Sequence, residues 1–511
     1  MSKEYLDESD PLLTKRFKYS KQSRFPNKSL LLAMFATCIG GTFQCGYNIS
    51  VINAPTGYVQ DFINNTWIDR YRTEISENAL ILLWSTFASM FSVGGLVGVS
   101  IGGTLSVKLG RKGTVLANNI FAILGALLLG LSSSAGLFEL LIVGRLLCGI
   151  NAGIGLCVEP MFLGEIAPTA LRGAMGMGVS VYLTLGILVG QVMGLKELLG
   201  GEEYWPILLA STCIPAFIQL LTLPWFPESP RYLLIDKGDE EACKIALKQL
   251  HNSDDWEDAL DDIQRERDNL VGFQAKKPWE LFADRSLRWQ VLTIIILNCA
   301  QQLNGINAIY FYTDYIFQQS GIPADKIPYA VVGTGACECL TALTCGFLIE
   351  SLGRKMLIAG GYILMSICCI LFTITLAFQD ASPVVPYLSV VCVFAFVLSF
   401  GLGPGGVTNI LTTELFTQTA RPAAFMIGGS VNWLSFSLIG LVFPFIVIEL
   451  QHYCFLVFCF VCITVASYIV FVVPETKNKS FVEIQDEFES SRKRKDSSSE
   501  KTGALLLSTC L

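Results

Sequence analysis

The sequence predicts an all-α membrane protein in which twelve transmembrane helices form two six-helix bundles joined by a helical linker. Three observations predict it. First, 52% of the 511 residues are hydrophobic and only 15% are charged, which suits a bilayer better than a large aqueous surface. Second, mostly apolar stretches of about 20 residues, long enough to cross the hydrocarbon core, recur twelve times. Third, three polar motifs occur twice. Gly103 to Gly110-Arg111-Lys112 returns as Gly346 to Gly353-Arg354-Lys355, Glu165 with Arg172 returns as Glu414 with Arg421, and Pro227-Glu228-Ser229 returns as Pro474-Glu475-Thr476. Between first residues the intervals are 243, 249 and 247, so one half is a diverged copy of the other.

Along the chain, residues 1–28 form a charged tail. The first bundle, 29–224, holds spans at about 29–50, 79–107, 113–133, 136–160, 173–195 and 204–224. A long charged segment precedes the first span and no small-residue cleavage site follows it, so it reads as a retained helix rather than a signal peptide. Residues 225–287 are rich in Asp, Glu, Lys and Arg, and Glu241 to Leu250 has the period of an amphipathic helix. The second bundle, 288–473, holds spans at about 288–312, 328–352, 356–378, 385–411, 422–447 and 452–473. The last segment, 474–511, turns polar from about 485, with Arg492-Lys-Arg-Lys495 and a serine run, the composition of a disordered tail.

Basic residues set the orientation. With both termini cytoplasmic, the external loops hold only Arg70, Arg72, Lys196 and Lys326, as the positive-inside rule requires. The first external loop then carries the sequon Asn64-Asn65-Thr66, a glycosylation acceptor. Sequons at Asn27 and Asn48 fall in the tail and in a helix and are discounted. The seventeen cysteines lie mostly in apolar spans, so no structural disulfide is expected. Two histidines and no ligand cluster predict no metal, no P-loop occurs, and no catalytic constellation suggests an enzyme. The net charge of −7 is split between tails and loops and gives no sign of nucleic-acid binding. Glu8, with Leu12 and Leu13, forms an acidic-dileucine pattern suited to a sorting adaptor. Thr509 and Leu511 offer a PDZ-type terminus. Both patterns are short enough to arise by chance.

The duplicated charges fall at one membrane level. Arg111, Glu165, Arg172, Arg354, Glu414 and Arg421 read either as ion pairs that tie the two bundles together at the cytoplasmic face, or as ordinary positive-inside topology with interfacial carboxylates. Recurrence in both halves favours the gate. Polar side chains within apolar spans mark a binding cavity. Gln191 lies in the fifth span, and Gln301, Gln302, Asn304, Asn307, Tyr310 and Tyr312 crowd the seventh. On a continuous helix Gln301, Asn304 and Asn307 share one face, with Gln302 beside them. Amides donate and accept, as sugar hydroxyls do. Asn432 adds another amide, and Trp433 an apolar face for the C–H side of a sugar ring.

Gly164-Glu-Ile-Ala-Pro168, Pro227-Glu-Ser-Pro-Arg231, Gln301-Gln302 with Gly305 and Asn307, and Pro474-Glu-Thr-Lys477 together resemble the sugar porters of the major facilitator superfamily. Gly46-Tyr47-Asn48, Ile52-Asn53-Ala-Pro55 and Glu228 to Leu234 resemble the facilitative hexose transporters more closely, on the branch that includes fructose carriers. The resemblance covers roughly residues 30–485. It implies the major facilitator fold, transport of glucose or fructose by alternating access, no cofactor, and the plasma membrane with an endosomal pool.

It also implies sugar contacts at Gln191, Gln301, Gln302, Asn307, Asn432 and Trp433, and an external gate at Tyr310 and Tyr312. Where the family has a tryptophan and asparagines, this chain has Asn409, Glu338 and Phe436; Gly401 replaces a glutamate and Val107 an aspartate. Losing the tryptophan loosens the pocket, so Asn409 and Glu338 join the candidate contacts. Asn48 stands where related proton symporters carry aspartate, which favours uniport, while Glu338 keeps a proton-coupled symporter open. A urate carrier is a further alternative. Against it, no cationic cavity is evident, because Arg145 is expected near the cytoplasmic half of its helix. A sugar sensor would need a folded signalling tail.

Overall fold

The computed structural model describes residues 28–168, 171–250, 256–270, 276–319, 321–378, 381–417, 420–477, 479, 483–484 and 487–488. The side chains of Arg172 and Tyr312 lie outside the description, as do Glu8, Leu12, Leu13, Thr509 and Leu511. Apolar stretches become helices because a bilayer leaves backbone groups no other partner than each other.

The first crossing is split into α1 (Lys28–Cys38) and α2 (Thr42–Ser50), bent by 43°. A short helix, α3 (Thr56–Tyr71), follows, so the segment predicted as an external loop is helical and half-buried Asn64 sits inside it. Then come α4 (Glu77–Leu109), α5 (Arg111–Ala135), α6 (Glu139–Ile166) and α7 (Arg172–Met193). The sixth crossing is the pair α8 (Trp205–Ala210) and α9 (Ile214–Thr222).

In the linker α10 (Glu240–Leu250) and α11 (Trp256–Leu270) pack around Leu234, Cys243, Leu247 and Ile263, while α12 (Pro278–Ala283) packs against the helix Arg421–Leu450 of the second half with Leu281 buried. At its end Lys276 Nζ donates to Asp284 at 2.8 Å. That bond, with the Ser286 hydroxyl and amide, draws the Asp284 carboxyl down to about 2.

The second half repeats the pattern with α13 (Arg288–Leu303), α14 (Ile306–Gln319), α15 (Ile327–Leu352), α16 (Arg354–Ala377), α17 (Val385–Leu402), α18 (Pro404–Leu415), α19 (Arg421–Leu450) and α20 (Cys454–Val472). Among the described residues ten helical segments are long and apolar enough to cross a membrane, and the bent α1–α2 pair makes an eleventh. The twelfth crossing, α13–α14, departs from prediction. It is not continuous, because Gly305 adopts φ +101° and Asn304 Oδ1 accepts from the Ile306 amide at 3.0 Å, restarting the helix. The single polar face expected through Asn304 is therefore cut at its centre, and Asn304 caps a helix there.

Within the halves α6 packs along α4 and α5, α2 along α7, and α16 against α17 and α20. Two seams join the halves, α4 on α19 and α7 on α15. Away from the linker, Ile52, Trp84, Phe87 and Phe91 share one continuous apolar core with the second half. Toward the linker, Leu30, Val115, Val158, Phe162 and Ile166 form a separate core with no second-half member. The bundles are closed on the far side and parted on the linker side.

Candidate functional site

The Gly-Arg-Lys turns need glycine, since Gly110 and Gly353 take φ +82° and +89°, which a side chain disfavours. Each turn starts a helix with free amides, and a carboxylate occupies each start. Lys112 N donates to Glu228 at 2.9 Å, and Arg354 N to Glu475 at 2.9 Å. A carboxylate there answers both the free N–H groups and the helix dipole. Arg111 then reaches Glu165 (2.9 Å) and Asp236 (2.6 Å), while Arg354 reaches Glu414 (2.9 Å). Ser229 and Thr476 hydroxyls donate to Glu165 and Glu414. The three repeated motifs thus converge into one arginine–carboxylate–hydroxyl cluster in each half.

The state seen is parted on the linker side, where the expected latch would close, and the ion pairs of Arg70, Arg111 and Lys479 and that between Arg354 and Glu414 each stay within one half with its adjoining linker or tail, none joining the two. Arg421 does not meet Glu414 either; its guanidinium donates to the Thr413 and Phe416 carbonyls at 3.1 and 3.4 Å and so terminates α18. In this state the clusters brace helices inside each bundle. Glu414→Gln removes the Glu414 charge from Arg354 and Thr476, and hydrogen bonds to charged groups contribute about 1.5–3 kcal/mol. The purified protein is expected to lose a few degrees of thermal stability. An unchanged melting temperature, with the balance of open states displaced, would restore the latch.

Inside the second bundle, four amides form a directed chain. Asn307 Nδ2 donates to Gln302 Oε1, Gln302 Nε2 to Asn432 Oδ1 (2.8 Å), Asn432 Nδ2 to Gln301 Oε1 (3.0 Å), and Gln301 Nε2 to the Pro404 carbonyl (3.3 Å). The chain spans α13, α14, α19 and the start of α18. Every amide in it keeps one N–H and further acceptor capacity for a ligand, and the mutual bonds fix where those groups stand.

Further toward the far side, Gln191 Nε2 on α7 approaches Thr334 Oγ1 on α15 at 3.4 Å, tying the halves together. Glu338 lies one turn along α15, beside Tyr310 of α14. Asn409 is exposed on α18 toward the linker side and does not join the amide chain. Trp433 departs from expectation. It is 5% exposed, packed against Phe91 and Phe436 at 5.9 Å and over Gly95 of the other half. In this state its ring packs at the seam between the bundles.

Two buried charges were not picked out as site residues in the sequence. Arg145 lies six residues into α6, in the half away from the linker, which corrects its expected position. Its guanidinium donates to the Asn48 carbonyl at 2.8 Å and stacks on Phe91 at 4.5 Å. Glu159 accepts from the Thr42 amide at 2.9 Å and so caps α2 at the bend of the first crossing. The available signal was a glutamate inside an apolar span.

The family described as "Sugar (and other) transporter" matches residues 33–488. A human relative named solute carrier family 2, facilitated glucose transporter member 11, is 48% identical over 458 residues, covering 90% of this chain and 92% of its own. The mouse facilitated glucose transporter member 5 is 45% identical over 481 residues, covering 93% and 96%. Among solved structures, the xylose transporter XylE from E. coli, in a partially occluded inward-open form, superposes with a TM-score of 0.74 at 20% identity, covering 89% of this chain and all of that one.

Proposed function

From the premise that this chain belongs to the sugar transporter family of the major facilitator superfamily, we propose that it moves a hexose, glucose or fructose, down its gradient by alternating access. It is a multi-pass membrane carrier and not an enzyme. The observation that carries the sugar reading is the amide chain from Asn307 to Gln301, whose spare donors and acceptors match a polyhydroxylated ring. The linker side is cytoplasmic, the far side external, and the state seen opens inward. Gln191, Gln301, Gln302, Asn307, Asn432 and Glu338 face the sugar, with Asn409 at the inner mouth. Tyr310 and Tyr312 gate the external side. Trp433 and the clusters around Arg111, Glu165, Arg354 and Glu414, with Arg172 and Arg421, govern how the bundles move.

Uniport is supported by Asn48, an amide beside Arg145 where a carboxylate would be needed to carry a proton. A second reading, proton symport, is favoured by the buried carboxylates Glu159 and Glu338 inside apolar spans. Proteoliposomes clamped at zero potential decide between them. Uptake of labelled glucose and fructose is expected to equilibrate without accumulating, whether or not a pH gradient is imposed. Accumulation driven by the gradient would establish symport.

The plasma membrane is the proposed site of action. An endosomal pool is reached through Glu8, Leu12 and Leu13, with PDZ contact through Thr509 and Leu511 and glycosylation at Asn64.

A further inference from the structure

Where the linker turns into the seventh crossing, Lys277, Arg285 and Arg288 are exposed and meet no carboxylate among the described residues. The nearby acids are already engaged. Glu280 accepts from the Lys277 amide at 2.9 Å and so caps α12, while Asp284 holds the Lys276 ammonium at 2.8 Å and the Ser286 hydroxyl at 2.7 Å. The Lys277 ammonium lies instead over the Trp279 ring, 5.3 Å from its centroid. The turn therefore keeps an excess of positive charge.

Packing fixes which way the turn faces. Leu281 and Leu287, at most 5% exposed, are anchored in the core shared with the second bundle, and Gln290 and Val291 form the buried side of α13. The opposite side is apolar and uncovered. Trp279 is 65% exposed and Phe282 52%, and on α13 Trp289 (39%) and Leu292 (41%) stand three residues apart on one face. Arg288 precedes Trp289 by one residue and Leu292 by four, so it tops the same face. Tryptophan beside cations at the mouth of a crossing is the composition of the headgroup layer, where the ring is half in hydrocarbon and half in water.

We propose that this turn seats an anionic phospholipid of the leaflet on the linker side. The headgroup lies against Arg285, Arg288 and Lys277, whose guanidinium forks suit phosphate oxygens, and the acyl chains run along Trp279, Phe282 and the outer face of α13. A zwitterionic lipid carries its own ammonium toward the same three cations, which disfavours it. With the linker side cytoplasmic, as proposed above, this is the leaflet that holds anionic lipid. The proposal goes beyond transport and is read without any sugar, so it stands or falls apart from the hexose reading.

The experiment reconstitutes the full-length protein and its Trp279→Phe variant into phosphatidylcholine vesicles. An equal minor fraction of the lipid carries brominated acyl chains, on phosphatidylserine in one set and on phosphatidylcholine in the other. The difference in emission between the two proteins isolates Trp279. Brominated phosphatidylserine is expected to quench it at least about threefold more strongly than brominated phosphatidylcholine, and the preference is expected to shrink in high salt. Arg285→Gln with Arg288→Gln is expected to bring the two lipids within about 1.5-fold. Equal quenching with the native cations in place, or a preference unchanged in the double variant, overturns the proposal. So does emission that neither lipid quenches, which would place the ring in water or against a second copy of the chain. Thermal unfolding of the wild-type protein in detergent needs no variant. Added phosphatidylserine is expected to raise the melting temperature more than phosphatidylcholine does, and equal shifts would count against the seat.

Discussion

Replacing Gln302 with leucine is expected to lower hexose uptake at limiting sugar by roughly ten- to a hundredfold, without preventing assembly in the membrane. Gln302 is the central link of the amide chain, accepting from Asn307 and donating to Asn432 at 2.8 Å. Leucine matches its size but can do neither, so Asn432 Oδ1 and Asn307 Nδ2 lose their partners and their fixed directions. Each stranded polar group costs about 1–3 kcal/mol where water is excluded. Any hydrogen bond to the sugar from Gln302 itself is lost too. Initial rates over a concentration series locate the damage. A raised KM with unchanged kcat places it in binding, and a fall in both kcat and kcat/KM places it in the moving state. Unaltered kcat/KM would remove Gln302 from the site.

How much of this site the residues announced depends on the range of the interaction. The density of amides in one apolar stretch marked Gln301, Gln302 and Asn307, because buried amides are expensive unless partnered. Their partners were not legible. Asn432 lies 130 residues from Gln302, and only the packing of α13 on α19 makes the two meet. Asn304 shows the opposite failure. Helical periodicity placed it on a ligand-facing stripe, but Gly305 breaks the helix and turns the Asn304 side chain back onto the Ile306 amide. Composition could not reveal this, since glycine is common inside membrane helices.

The repeated motifs behave similarly. Their recurrence announced the two-fold architecture, and both clusters form with matching roles. Spacing could not name the partners of Glu165, which include Arg111 and Ser229, 54 and 64 residues away, each from a different motif. Tertiary structure alone brings three such segments to one place. Trp433 was misjudged for a related reason: a tryptophan beside a buried amide suits a sugar ring equally well as it suits a bundle seam. The deciding fact is Gly95 on the opposite half, which makes room for it.

Gly335→Leu is expected to trap the protein open on the far side and to abolish most transport. Gly335 lies on α15 where it crosses α7, and a Cβ built there would stand 3.1 Å from the Leu188 Cα and overlap the Gln191 side chain. The main chain of Leu188 cannot step aside as a flexible side chain can, so leucine's remaining carbons must be accommodated by separating α7 from α15. That seam is one of the two that close the far side. Overpacking of this kind costs roughly 1–3 kcal/mol or more, and it falls only on the closed state. A penalty of about 3 kcal/mol on one of two conformers shifts their ratio by more than about a hundredfold. The folded bundles themselves are untouched, so the variant should melt near the wild-type temperature while uptake falls by at least about tenfold. Asn409→Cys, exposed toward the linker side in the present state, supplies the conformational readout. Reaction with an impermeant thiol reagent applied from that side is expected to slow sharply when Gly335→Leu is added. Wild-type labelling together with wild-type uptake would show that the seam tolerates the side chain, and that closure at α7 and α15 is not a step of the transport cycle.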